Sequence, residues 1–172
     1  MTAHDPGLPG AAPNPGGATV ADLRAMDGER ALAVMLFRDS FEGPEGTARV
    51  RGVLAEALGP VRGAAAFATW ADLMGALMRL ARRPLMRHGL TCICVGADEA
   101  VVAQILHLAA RGEREDAMLT LALLVPSDRA PLLALDAERA GRIVMRAADH
   151  FRRTMPAPPA PDARPAPGRR LH

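Results

Sequence analysis

The sequence predicts an all-α fold, a single bundle of about five to six helices set between two Pro-rich tails, and three observations carry that reading. Gly and Pro cut the middle of the chain into segments of helical length. Within those segments the apolar residues recur every three or four positions, the spacing of one helix face. With 172 residues, 49% of them hydrophobic and 23% charged, the chain has enough apolar material for one core and too little length for two.

Residues 1–17 carry Pro6, Gly7, Pro9, Gly10, Pro13, Pro15, Gly16 and Gly17 and no periodic apolar face, so they read as a disordered N-terminal tail. Residues 156–172, with six prolines and Arg164, Arg169 and Arg170, read as a disordered Pro/Arg-rich C-terminal tail, and residues 18–155 as the helical bundle domain.

The first helix is expected from about Val20 to Ser40, with Ala31, Val34, Met35 and Phe41 on one face and Gly43-Pro44 as its stop. The second starts near Pro44 and runs to Leu58, where Gly59-Pro60 ends it. The third, Val61 to Arg83, shows the clearest stripe, formed by Phe67, Trp70, Met74, Leu77 and Ala81. A fourth, Ala97 to Ala110, turns Val101, Val102, Ile105, Leu108 and Ala109 inward. Residues 114–125 are apolar nearly all round, which predicts a helix at the centre of the bundle. The last helix, Asp128 to Met155, packs through Leu132, Leu135, Ile143, Val144, Ala147 and Phe151.

Composition excludes several functions. The net charge is +2, every one of the 21 basic residues is Arg, and pI 9.0 made this way names no partner without clustering. Interleaved aromatics and a recognition helix are missing, which argues against nucleic acid as the partner. Arg79, Arg82 and Arg83 interrupt the longest apolar run, so no membrane span is expected. The residues after Met1 lack a basic and then apolar leader, which points to the cytoplasm. Phosphate-binding loops, nucleophile elbows and His-Glu-x-x-His pairs are absent.

One segment, His88 to Glu99, departs from the helical pattern. If residues 91–95 are extended, Cys92 and Cys94 face one side, and a turn at Gly89 lets His88 reach the same point. That gives a His-x3-Cys-x-Cys set of soft and borderline ligands suited to zinc, with iron as the other candidate. A closed zinc site needs a fourth ligand, for which Asp98, Glu99, His107 and His150 are the candidates, or else a water that leaves the site open. Two further readings use the same cysteines: small buried hydrophobes joining two helices, or a redox pair that closes into a readily reduced disulfide. Asp98 and Glu99 also suit the ordinary role of acidic residues in a first helical turn. Arg79, Arg82, Arg83 and Arg87 form either a solvated face or a patch for an anion or acidic partner.

The sequence therefore points to a cytoplasmic zinc-binding helical protein that works through regulation and a protein partner rather than turnover. A metal- or thiol-dependent enzyme with Asp98 or Glu99 as general base is the first alternative. An interaction or nucleic-acid-associated module with purely structural cysteines is the second.

Overall fold

A computed structural model describes residues 14–154 of the chain. The fold is all-α apart from one two-stranded ribbon. Strand β1 (Thr19–Asp22) lies between two 3-10 turns, Pro15–Gly17 and Leu23–Ala25. Helices α1 (Gly28–Asp39), α2 (Gly43–Leu58) and α3 (Pro60–Leu80) follow. An irregular stretch leads to strand β2 (Cys94–Gly96), which enters α4 (Ala97–Ala110) directly, and α5 (Arg114–Leu121) and α6 (Ala130–Thr154) complete the described residues.

Local chemistry sets the boundaries. The single helix expected from Val20 to Ser40 is broken at its start: Thr19–Asp22 pairs antiparallel with β2, and α1 begins only at Gly28. Two aspartates account for this, because the Asp22 carboxylate accepts from the Arg24 backbone N–H and closes a turn, and the Asp27 carboxylate accepts from that of Arg30 and caps α1. Pro44 and Pro60 sit in the first turns of α2 and α3, where a missing N–H costs nothing. Residues 14–17, assigned to the N-terminal tail by composition, are ordered in the first turn; residues 1–13 and 156–172, the rest of both tails, and Met155, the expected end of the last helix, lie outside the described residues.

The central helix is α6, which packs against all five others, and α4 lies against it between α1 and α5, whereas the apolar stretch 114–125, expected at the centre, packs mainly against α4 and α6 at the edge. Leu119 is 71% and Leu123 64% exposed; Ala117, Leu121, Leu124 and Val125 are buried, with Met118 half-buried against the core. Tied closely behind α4, a helix of 8 residues can press only one side against its neighbours. In α6 the buried face is Leu133, Ala134, Ala137, Ala140, Val144 and Ala147, while Leu132 and Leu135, expected inside, stand out at 64% and 43% exposure. Small residues win there because α6 lies very close to α4: a Cβ at Gly141 would overlap the Leu106 carbonyl. The third stripe holds at Trp70, Met74 and Leu77, and the Trp70 indole N–H donates to Ser40 Oγ at 2.9 Å.

Candidate metal centre

The chain between α3 and β2 has almost no regular structure, so its shape comes from side chains that hold its backbone. Two of these are the acidic residues of the first turn of α4. The Asp98 carboxylate, 2% exposed, accepts from both terminal nitrogens of Arg83 at 2.7 Å and from the Met86 N–H at 2.8 Å. Glu99 reaches back to the Gly96 N–H at 2.7 Å, as a residue in this helical position does, and accepts from the His88 N–H at 2.8 Å.

Arg38 of α1 closes the arrangement from the opposite side. Its side chain and that of Glu99 are both fully buried, and Nε and Nη2 donate to the two Glu99 oxygens at 2.8 and 3.0 Å. Its remaining N–H groups go to three carbonyls of the loop: Gly89 at 3.2 Å, Cys92 at 2.6 Å and Cys94 at 2.7 Å. All five guanidinium donors are thereby engaged, a geometry that lysine lacks the donors to reproduce. Burial works against the Glu99 charge, yet Arg38 and the N–H groups of Gly96 and His88 outweigh it and hold the carboxyl below the usual carboxylate range.

On this frame sit His88, Cys92 and Cys94, whose ligand atoms lie within 4.8 Å of one another. The cysteines are joined by a disulfide, with Cα atoms 5.4 Å apart. His88 Nδ1 is 2.7 Å from Cys94 Sγ and 3.7 Å from Cys92 Sγ. At the other side of the ring Nε2 lies 2.9 Å from the Gly17 carbonyl, which can only accept. The ring proton therefore belongs on Nε2, and Nδ1 presents its lone pair to the sulfurs.

Gly17 is positioned by the N-terminal strap. The Ala97 N–H donates to the Ala18 carbonyl, the Leu23 N–H to the Ile93 carbonyl, and the Asn14 amide to the Pro84 carbonyl. Glycine is required at position 16, where a Cβ would overlap the Asp98 carboxylate.

The other candidate ligands lie elsewhere. Asp98 and Glu99 are engaged with Arg83, Arg38 and backbone N–H groups, which leaves neither carboxylate free to serve as a general base. His107 joins Glu29 and Arg111 at the far end of α4, and His150 stacks edge-on against Phe151 in α6. Among the described residues, the converging group is His88, Cys92 and Cys94 alone. The four arginines have separate fates: Arg83 pairs with Asp98, Arg87 with Glu42, Arg82 donates to the Val125 carbonyl, and Arg79 is exposed.

Sequence reasoning missed Arg38 and the strap. Arg38 had a signal, because it falls on the face of α1 that also carries Val34 and Phe37, and a charge in an apolar stripe implies a buried counter-charge. The Gly17 carbonyl had none, since a backbone acceptor reads the same at every position. No known protein family, curated protein or solved structure matches this chain.

Proposed function

We propose that this protein is a thiol-gated zinc-binding regulator. In its dithiol form His88 Nδ1, Cys92 Sγ and Cys94 Sγ hold one zinc ion, and closure of the Cys92–Cys94 disulfide expels it. The observation that carries this reading is the Gly17 carbonyl on His88 Nε2: metal-bound histidines characteristically donate their second ring N–H to a fixed acceptor, which orients the lone pair of the other nitrogen. A tetrahedral ion about 2.3 Å from each sulfur needs the sulfurs about 3.8 Å apart. With the Cα atoms 5.4 Å apart, rotation about the Cα–Cβ bonds opens the pair that far without moving the backbone.

The Cys92 and Cys94 thiolates, which would hold the ion, give two electrons to hydrogen peroxide, which takes up two protons and leaves as two waters, or to a low-molecular-weight disulfide, which leaves as two thiols; the S–S bond that forms removes both sulfur ligands. In a reducing compartment such as the cytoplasm the dithiol form dominates. The fourth coordination position takes a water or a donor from a protein partner, and that exchange is the regulatory output. Iron suits the same ligands less well, because its usual sulfur sites use four cysteines.

Zinc titration of the full chain against a chromophoric chelator, reduced and oxidised in parallel, tests the reading. One zinc per reduced chain is expected, with little binding to the oxidised chain or to the Cys92→Ser, Cys94→Ser variant. Reduced, folded protein that leaves zinc on the chelator overturns it. The disulfide itself favours a second reading, a pair that exchanges electrons with other thiols and holds no metal. That reading gains if the reduced chain ignores zinc yet reacts faster with oxidised glutathione than the His88→Ala variant does.

A further inference from the structure

A second concave site, built from different elements, lies between α1, α4 and α6. It is a cleft of about 780 Å3, within the range of small-molecule sites. Leu32 and Met35 of α1 and Ala148 and Phe151 of α6 give it an apolar floor. Its polar edge is a cluster on which Glu29, His107 and Arg111 converge, and the side chains of Glu29 and His107 are only 14% and 17% exposed.

The hydrogen bonds within this cluster leave donors over. Arg111 uses a single nitrogen, Nη1, for all its protein contacts: both Glu29 oxygens at 3.2 Å, His107 Nδ1 at 2.8 Å and the His107 carbonyl at 3.3 Å. Its Nε and Nη2 have no partner among the described residues. His107 Nδ1 faces both the Arg111 N–H, which can only donate, at 2.8 Å and a Glu29 oxygen, which can only accept, at 3.3 Å; the shorter contact assigns the ring proton to Nε2, which is likewise without a partner among the described residues. Of the other charges at the cleft, Asp27 pairs with Arg30 and Arg152 with Asp149. What remains is a planar pair of guanidinium N–H groups and an imidazole N–H beside an apolar floor. Two parallel donors of this kind match the two oxygens of a carboxylate.

From this geometry we infer that the cleft binds a small monocarboxylate with an apolar body, its headgroup on Arg111 Nε and Nη2 and on His107 Nε2, and its chain along Leu32, Met35 and Phe151. Glu29 competes with the ligand for Arg111 and sets the affinity. No part of this depends on the state of the cysteines, which belong to a different part of the fold.

Calorimetric titration of the full chain with sodium decanoate, with decanol as the uncharged comparison, tests the inference. Saturable binding of one decanoate per chain is expected, at least about tenfold tighter than decanol. Arg111→Gln should weaken decanoate about tenfold or more, whereas Glu29→Gln should tighten it, because the competing carboxylate is gone. A merely structural cluster would respond to both substitutions in the same direction. Ala31→Trp, which puts an indole into the cleft, should abolish binding while leaving the zinc titration unchanged. The inference is overturned if decanoate fails to saturate at millimolar concentration, if decanol binds as well as decanoate, or if Glu29→Gln weakens binding as Arg111→Gln does. Should Arg111→Gln fail to fold, the Glu29→Gln and decanol comparisons still decide the matter.

Discussion

Arg38 is the residue on which the site depends, because one buried guanidinium holds Glu99 and three carbonyls of the cysteine loop. Removing one partner of a buried ion pair strands the other, at a cost of about 3–5 kcal/mol. Urea unfolding of Arg38→Met should show a loss of that size, and Arg38→Lys should recover only part of it. The Glu99 carboxyl is held below its ordinary value in the folded chain, so the pair's contribution is complete above the usual carboxylate range and disappears as pH falls through the lowered folded value. Thermal unfolding between neutral and acidic pH should therefore steepen for the native chain relative to Glu99→Gln, which stays neutral throughout; parallel profiles would sink the assignment. His88, Cys92 and Cys94 were legible in the sequence because they stand within seven residues of one another. Arg38 was not legible as their support: it lies 54 positions from Cys92, and only the fold brings the two together.

At the scale of elements, the first turn of α4 serves as a template for the irregular chain before it, and the strap from Asn14 to Asp22 closes over the result. Gly16→Ala should lift the strap, since its methyl group overlaps the Asp98 carboxylate, and take the Gly17 carbonyl away from His88. Loss of such an outer hydrogen bond weakens metal binding by about 10- to 100-fold. The same variant should speed hydrogen exchange at the Ala97 and Leu23 amides, which donate to the Ala18 and Ile93 carbonyls; unchanged zinc affinity together with faster exchange would separate the strap from the site. Most helices were legible from their periodicity, α3 best of all. Strand β1 was not, because Val20, Leu23 and Met26 repeat at helical spacing while two aspartate caps decide the backbone. The inward face of α6 was also misjudged at its start, where Ala130, Leu133, Ala134 and Ala137 are buried and Leu132 and Leu135 are exposed.

For the molecule as a whole, no helix among the described residues is long and apolar enough to cross a membrane. Stability should follow the state of the cysteines in a characteristic way. The disulfide closes so short a loop that its reduction costs at most about 1.5 kcal/mol. The melting temperature of the metal-free chain should thus fall by only a few degrees on reduction. Zinc at about 100 times its Kd should then add about 2.7 kcal/mol to the reduced chain and nothing to the oxidised one. Scanning calorimetry of the three forms reads both effects. Whether these two sulfurs and one imidazole form a single coordination sphere is read by X-ray absorption at the zinc edge of the reduced, zinc-loaded chain. Two sulfurs at about 2.3 Å, one imidazole nitrogen at about 2.0 Å and one further light atom are the predicted shell. A shell of nitrogen and oxygen alone, or an unchanged spectrum in the His88→Ala variant, would contradict it.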